Sequence, residues 1–421
     1  MPALHHPERH EPLTDTPWDE TRVRDAVRRI ATQLLEHERS GEHHFRMHPA
    51  DMEGRNTPRR GLHTLYEGGA GVWWALWTLQ RAGAIDADVD FAAAMRHTAA
   101  THRAEPDTGT LVPSYFLGTV GVDLVRWRID PGPEIEQQLH DAVRANIDNP
   151  TNEALWAAPG TMLAAWQLWR ATQDPLWRDL LLDNVQRVWN TWVHDERAGC
   201  HLWTQDLYGT TVQYLGAGHG WAGNVYPLLL CRDLLDDTRA RQLVQRTEHA
   251  LQQLALHDDG RPNDRSDDHD DEPGAGVNWP PGTYIPRPDG PKVLMQWCHG
   301  APGIVVALSP LRPGASSIVD ALLLGAGRAI WRAGPLNKGP GLCHGTAGNG
   351  YALLKLYGRT GNTLWLHRAR RFAMHALQQL ESTWAREGRA RPSLWTGDAG
   401  VATFLHDCLL AHADWPTLDR M

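Results

Sequence analysis

Residues 345–357 read Gly345-Thr346-Ala347-Gly348-Asn349-Gly350-Tyr351-Ala352-Leu353-Leu354-Lys355-Leu356-Tyr357, a Gly-x-x-Gly tetrad that runs directly into an apolar helical stretch. Six further tetrads, one of them with alanine in first place, are each followed by a similar stretch, at 68–71, 118–121, 157–160, 220–223, 300–303 and 397–400. Self-similarity of this kind is the sequence signature of a repeat architecture. We therefore interpret the chain as seven copies of one structural unit.

More charged helical segments lie between the copies, for example residues 175–193 and 363–383. An apolar helix that alternates with an amphipathic one suggests an inner and an outer ring. The sequence therefore predicts an all-α fold in which seven hairpins close into a single ring. The amino ends of the inner helices leave free N–H groups at one end of that ring, where we expect a functional site.

Two segments fall outside the repeat pattern. Residues 1–55 are polar and rich in histidine, and we expect a partly helical or disordered arm ahead of a single domain at 56–421. Residues 256–292 begin with an acidic run and continue with many prolines and glycines. A connection of this length is typical of an Ω-loop or lid, or of a disordered segment.

The composition excludes several classes of protein. The chain has 421 residues, of which 42% are hydrophobic, so it is not a wholly disordered polypeptide. Its net charge of −9 argues against a partner such as duplex nucleic acid and, more weakly, against an anionic membrane surface. No apolar run has the length of a membrane span, and residues 1–20 contain no apolar core of a signal peptide. With an odd number of cysteines, five, we expect a cytoplasmic protein with free thiols.

Two cysteine–histidine pairs precede repeat glycines, in Trp297-Cys298-His299-Gly300 and in Leu342-Cys343-His344-Gly345. Thiolate and imidazole are preferred zinc ligands, and a catalytic zinc keeps three protein ligands and one open position. Because both pairs occupy the same place in their repeats, two cysteines and one histidine could meet at one metal ion. The alternative is two buried thiols that never meet, since cysteine is commonly buried.

These motifs resemble the lanthionine synthetase C family, and most closely its stand-alone LanC-like branch. The resemblance covers roughly residues 60–415 and rests on the tetrads, on 297–303, on 341–345 and on a histidine motif at 214–223. It implies an α/α toroid, a double ring of about seven inner and seven outer helices. It also implies a Zn²⁺ cofactor held by Cys298, Cys343 and His344, and it does not select His299 as a ligand.

The chemistry implied by the resemblance is the addition of a thiol to dehydroalanine or dehydrobutyrine, which forms a thioether. The enolate left after attack at Cβ must be protonated at Cα, and His219 is the candidate general acid by its motif position. Histidine titrates near pH 6.5 when unperturbed, which suits this task. Glu153 falls where the family carries an acidic residue and could orient His219, and an exposed glutamate at a helix start is an equally good explanation.

Three positions resemble the LanC-like branch rather than the peptide cyclases. Lys338 matches a lysine that contacts glutathione in that branch, and His299 stands where the cyclases have tyrosine. Leu294 replaces an arginine of the cyclases. The substrates implied are therefore a glutathione-like thiol and a peptide or protein that contains dehydroamino acids. The arginine-containing glutathione contact at the branch's N-terminus has no recognisable counterpart in residues 1–20.

Two alternative functions stay open at this point. One is a cyclase that forms lanthionine rings within a ribosomal peptide, where thiol and dehydro residue belong to the same molecule. The other is a non-catalytic module that binds glutathione or a protein on the same toroid, with a structural zinc. A structural zinc would require a fourth protein ligand.

Overall fold

A computed structural model of the protein describes residues 3–38, 45, 47–49, 61–259, 274–285 and 292–421. Within these residues seven helices each begin at a repeat tetrad and form an inner ring: α2 (Gly69–Arg81), α4 (Thr119–Ile129), α6 (Ala158–Thr172), α8 (Trp221–Leu230), α10 (Ala301–Ala307), α12 (Thr346–Thr360) and α14 (Asp398–Leu410). These helices are largely buried, as their apolar sequences predict.

Seven further helices of the described part of the chain form the outer ring: α1 (Glu20–Glu38), α3 (Phe91–Ala104), α5 (Pro133–Ala145), α7 (Pro175–Asn190), α9 (Asp237–Leu254), α11 (Ser317–Ala333) and α13 (Thr363–Glu387). Each packs against the inner helix that precedes it, and α1 packs against α14. The predicted all-α double ring of seven inner and seven outer helices is therefore confirmed.

Helix α1 lies ahead of the first tetrad but packs into the core of the ring. Val23, Ile30 and Leu34 recur at helical spacing and are buried in the same hydrophobic core as the inner ring. Residues 20–38 thus supply the seventh outer helix, between α13 and the start of the repeats. The division at residue 55 stays a prediction, and residues 1–2, 39–44, 46 and 50–55 of the expected arm lie outside the described residues.

The last glycine of each tetrad is required by a close approach of backbone. A Cβ atom at Gly348 would lie well under 3.0 Å from the carbonyl oxygen of Leu342, six residues earlier, and the same relation holds in the other copies. That Cβ would also meet the neighbouring copy: at Gly400 it would lie 2.7 Å from Leu342, and at Gly71 it would lie 2.7 Å from Leu394. Since Leu394 belongs to the last copy and Gly71 to the first, these contacts close the ring.

Short strands lie in the connections between α7 and α8 and between α9 and α10. Strands β1 (Val193–Asp195) and β2 (Cys200–Leu202) pair antiparallel, β4 (Thr210–Tyr214) lies between β3 (Gln205–Leu207) and β7 (Gly282–Tyr284), and β5 (Leu256–His257) pairs with β6 (Val277–Asn278). The expected long loop at 256–292 therefore contains β5, β6 and β7. Its residues 260–273 and 286–291 lie outside the described residues, so its role as a lid stays a prediction.

The C-terminal residues fold back into the ring and form an aromatic floor beneath its mouth. Trp415 is fully buried, and its ring lies 5.7 Å from that of Trp297, the residue before Cys298. The Tyr115 hydroxyl donates a hydrogen bond to the carbonyl of Thr417. Among the helices that the structure describes, none combines the length and apolar character that crossing a membrane demands.

Candidate metal and thiol site at the mouth of the ring

A shared register brings the candidate residues to one end of the ring. We call the residues two positions before each tetrad the mouth residues: Tyr66, Phe116, Leu155, Gly218, Cys298, Cys343 and Trp395. Backbone hydrogen bonds link consecutive mouth residues, from N–H to carbonyl, in the order Gly218 to Cys298 (3.3 Å), Cys298 to Cys343 (3.2 Å), Cys343 to Trp395 (2.8 Å), Trp395 to Tyr66 (3.2 Å) and Tyr66 to Phe116 (3.0 Å). This chain of bonds holds the two cysteines side by side.

Buried amide side chains anchor the loop that carries Cys298. Asn278 in β6 accepts a hydrogen bond from the first N–H of α10, at Ala301 (2.7 Å), and donates one to the carbonyl of Leu294 (2.9 Å). Asn349 in α12 donates to the carbonyl of Met295 (3.0 Å). The loop is thereby tied both to its own helix and to the copy that supplies Cys343.

The structure brings together the predicted metal ligands Cys298, Cys343 and His344. One ligand atom from each lies within 4.8 Å of the other two. Two sulfurs and one imidazole nitrogen are a donor set that zinc prefers, and zinc–sulfur bonds of about 2.3 Å place tetrahedral ligands about 3.5–4 Å apart. Small side-chain adjustments suffice to reach that spacing. The chemistry and the spacing of these residues therefore fit a zinc ion with one position left for another ligand.

The two thiols differ in protonation. A hydrogen bond from the Cys343 thiol holds the pKa of Cys298 well below its ordinary value, despite burial, and His344 acts in the same direction. Burial, together with the bond to Cys298, raises the pKa of Cys343. The pair therefore retains one proton and one negative charge, which is the electrostatic environment of a cation site.

Each sulfur also accepts a hydrogen bond from a neutral side chain. The Gln296 amide donates to Cys298 Sγ at 3.0 Å, and the Tyr66 hydroxyl donates to Cys343. Burial raises the pKa of Tyr66 well above its ordinary value, so the hydroxyl keeps its proton. Our sequence analysis missed both donors. The register is the signal that could have found Tyr66, because it is a mouth residue of the first copy.

His219 and Glu153 form a hydrogen-bonded pair, as the resemblance suggested. His219 Nδ1 lies 3.0 Å from Glu153 Oε2, and the carboxylate is fully buried. Burial lowers the pKa of His219, but the hydrogen bond and charge of Glu153 outweigh it, so that the pKa lies above its ordinary value. The pair orients the ring and leaves Nε2 as the nitrogen that can act on a substrate.

In the third copy, the Glu153 side chain accepts the hydrogen bond that a backbone carbonyl accepts from the mouth residues of other copies. Its carboxylate accepts the N–H groups of Leu155 (2.9 Å) and Trp156 (2.8 Å) in addition to His219. Leu155 is the mouth residue of the degenerate third copy, and its N–H bonds this side chain rather than a neighbouring carbonyl. An explanation of Glu153 as an exposed residue at a helix start is therefore wrong, since the carboxylate is buried and makes three hydrogen bonds.

His299 lies between the His219–Glu153 pair and the candidate metal ligands. Its ring centroid is 6.1 Å from that of His219 and 5.2 Å from that of Tyr214. It is not part of the Cys298, Cys343 and His344 cluster, although its charge helps to lower the pKa of Cys298. It therefore lies at the mouth beside both His219 and Cys298.

Lys338 and Arg9 place two cations beside the mouth. Lys338 is exposed, and its charge acts to lower the pKa of Cys343. The backbone N–H of Asn337 donates to the carbonyl of Arg9 at 3.1 Å, so the N-terminal segment runs beside the Lys338 loop. Arg9 donates to Gln296 at 3.4 Å, and Gln296 in turn donates to Cys298. The sequence analysis found no counterpart of an N-terminal arginine, and the structure shows that Arg9 reaches this site.

Comparisons with known proteins agree with this architecture. A family model described as lanthionine synthetase C-like protein matches residues 62–419. The Danio rerio protein named Glutathione S-transferase LANCL1 is 30% identical over 235 residues, which are 54% of this chain and 49% of that protein. The Arabidopsis thaliana LanC-like protein GCL1 is 35% identical over 120 residues, 27% of each chain. The chain thus spans about half or less of the length of these curated relatives.

A solved structure supports the fold independently. The structure of nisin cyclase superposes with a TM-score of 0.60 at 14% identity and covers 92% of this chain and 94% of its own. At that identity the likeness shows the fold alone. The family model, in contrast, matches most of the sequence, including both cysteine motifs and the histidine motif. The chain belongs to the lanthionine synthetase C-like protein family.

Proposed function

We propose that the protein is a zinc-dependent enzyme that adds a small thiol of the glutathione class to dehydroalanine or dehydrobutyrine residues of a peptide or protein. The observation that carries this proposal is the proximity of two parts of the mouth. One part is the Cys298, Cys343 and His344 cluster, and the other is His219 with its buried carboxylate. The two meet where the N–H of Gly218, the residue before His219, donates to the carbonyl of Cys298 at 3.3 Å. A metal site that served structure alone would gain nothing from a paired histidine facing it.

The fit of the cysteine and histidine cluster to zinc supports the first part of the proposed chemistry. Zinc, when bound, would deprotonate a substrate thiol whose ordinary pKa is about 8.5 and keep its sulfur nucleophilic. Gln296 and Tyr66 hold the two protein sulfurs by hydrogen bonds. A hydrogen bond to a thiolate lowers its electron density, so these donors favour the substrate sulfur as the nucleophile over the protein's own sulfurs.

His219 completes the addition. The substrate sulfur forms a bond to Cβ, and the electron pair of the carbon–carbon double bond moves to the carbonyl and gives an enolate. His219 then donates the proton on Nε2 to Cα, while Nδ1 stays bonded to Glu153. The raised pKa of His219 favours the protonated ring near neutral pH. The proton lost by the thiol returns the ring to its starting state, so atoms and charge balance.

The two cations suggest the class of thiol. Glutathione carries carboxylates at both ends of a cysteine-containing tripeptide. Lys338 and Arg9 lie on adjacent segments beside the cysteines and could each bind one carboxylate. A thiol that belongs to the acceptor peptide itself would need no such pair, which favours a free thiol over ring formation within one peptide.

A mass-spectrometric assay tests the proposal. Zinc-loaded protein is incubated with glutathione and a dehydroalanine-containing peptide, and the peptide mass is followed. We expect the mass to rise by one glutathione, and we expect Cys343→Ala and His219→Ala to lose at least about tenfold in rate, as general acid catalysis and metal ligation require. Cys200→Ala is the matched control, because Cys200 is also followed by a histidine but is buried in β2.

The remaining outcomes separate the alternatives. A second peptide that carries its own cysteine tests ring formation, seen as loss of the free thiol without a change of mass. If only that peptide reacts, the cyclase is the better assignment. If zinc binds and neither peptide reacts, the proposal fails and a binding module becomes the better account.

A further inference from the structure

A second group of metal-ligating side chains lies away from the cysteines. One ligand atom from each of His63, His102 and Asp107 lies within 4.8 Å of the other two. His63 is in the loop before α2, His102 is in the last turn of α3, and Asp107 follows that helix. The group therefore connects an outer helix to the loop that carries Tyr66.

Asp107 is fixed and charged. Its Oδ2 accepts the backbone N–H groups of His63 (2.8 Å) and Thr64 (2.9 Å), and its Oδ1 lies 2.7 Å from His63 Nδ1. Although burial opposes ionisation, the imidazoles of His102 and His63, and then the backbone N–H of His63, hold the pKa of Asp107 well below its ordinary value. The carboxylate thus presents a negative charge to the two imidazoles in a set position.

His102 is the unexplained member of the group. Its side chain is 1% exposed, and neither ring nitrogen has a hydrogen-bond partner among the described residues. The nearest carboxylate oxygen, Asp107 Oδ1, lies 3.9 Å from Nδ1, beyond hydrogen-bonding distance. Buried polar groups normally have partners, so an imidazole in this state points to a missing ligand between it and Asp107.

We propose that His63, His102 and Asp107 bind a divalent transition-metal ion of the zinc class at a second site. Two imidazoles and one carboxylate are an established donor set for such ions. With metal–ligand bonds of about 2.0–2.2 Å, ligand atoms lie about 3–3.5 Å apart, so the 3.9 Å between His102 Nδ1 and Asp107 Oδ1 needs to shorten by about 0.5–1 Å. This ion would tie α3 to the loop that holds Tyr66, and would so support the donor to Cys343.

The test removes both cysteines of the Cys298, Cys343 and His344 cluster and measures whether the protein still binds metal. In untagged C298A/C343A protein, dialysed after loading with zinc, we expect about one equivalent of zinc to remain by elemental analysis. Cobalt should then give weak d–d bands without the intense sulfur-to-metal charge-transfer bands of a thiolate site. Adding His102→Gln to this background should remove the bound metal.

His102→Gln suits this test because His102 donates no hydrogen bond whose loss would unfold the chain. Circular dichroism and elution volume check that each variant is folded. His97→Gln, at an exposed histidine of the same helix, is the matched control and should retain the metal. If folded C298A/C343A protein holds no metal above the dialysis buffer, or if His102→Gln leaves the binding unchanged, the proposal is wrong, and an ordered water is the better partner for His102.

Discussion

The Glu153→Gln substitution tests whether the buried carboxylate sets the protonation of His219. Glutamine has nearly the same shape but no charge, so the substitution removes the ion pair at 3.0 Å and leaves the burial of His219 in place. Burial lowers the pKa of a histidine, and Glu153 is the main group that opposes it here. The pKa of His219 should therefore fall.

The size of the effect follows from the geometry. An opposite charge in direct contact changes a pKa by about 1–3 pH units, which is about 1.4–4 kcal/mol. The protonated fraction of His219 at pH 7 should fall, and by about tenfold for each pH unit by which the pKa drops below 7. Because the proposed mechanism needs protonated His219, the rate of thiol addition at pH 7 should fall by the same factor as the protonated fraction.

The assay is the pH dependence of the addition rate. In the parent protein the rate should decline as the pH rises through the pKa of His219, and in Glu153→Gln this decline should begin at lower pH. Glu381→Gln is the control, since it removes a carboxylate paired with Arg22 (2.7 Å) on the outer ring, and its profile should match that of the parent. Zinc content should be the same in all three proteins. A decline of Glu153→Gln at the same or higher pH than in the parent would refute the assignment of Glu153 to His219.

Two further predictions concern a hydrogen-bond donor at the mouth and the last glycine of a tetrad. Tyr66→Phe removes the hydroxyl that donates to Cys343, and we expect zinc affinity measured by competition with a chelator to fall about 10–100-fold, whereas Tyr214→Phe should change it little. Gly348→Ala forces a Cβ against the carbonyl of Leu342, and we expect a loss of about 3 kcal/mol in the free energy of unfolding, measured with denaturant. Gly69→Ala is its control, because a Cβ there meets only ordinary contacts of 3.4 Å or more; an equal loss in both would contradict our account of the last glycine.

Much of the fold could be predicted because one short motif recurs. Each tetrad marks the start of an inner helix, and the apolar and amphipathic stretches alternate as the inner and outer rings do. The sequence did not predict which segment supplies the seventh outer helix. Helix α1 precedes the first tetrad and packs against α14, which is the last helix of the chain. Nothing in a local pattern indicates a contact between segments so far apart in sequence.

The residues of the site also divide into those that the sequence indicated and those that only the structure shows. The sequence pointed to Cys298, Cys343 and His344 because all three stand in repeat register, and the structure brings them together. Arg9 and Gln296 also lie at this site, but neither stands at a repeat position that we had singled out. Arg9 comes from the N-terminal segment, and Gln296 lies four residues before its tetrad. Their contacts depend on how segments cross in space, and so only the folded chain reveals them.

The register also explains why the residues of the proposed chemistry lie on one arc of the mouth. In a ring of equivalent copies every mouth residue could bond its neighbour through the backbone, and five such bonds are present among the described residues. The third copy departs from this pattern, because the N–H of Leu155 bonds the Glu153 side chain instead. That exchange brings a buried negative charge to the point where His219 of the next copy approaches. The histidines of the fourth, fifth and sixth copies, at the position after the mouth residue, are His219, His299 and His344. A carboxylate at one end of this arc and two thiols at the other match the different tasks that we propose for its imidazoles, proton donation beside Glu153 and metal binding beside Cys343.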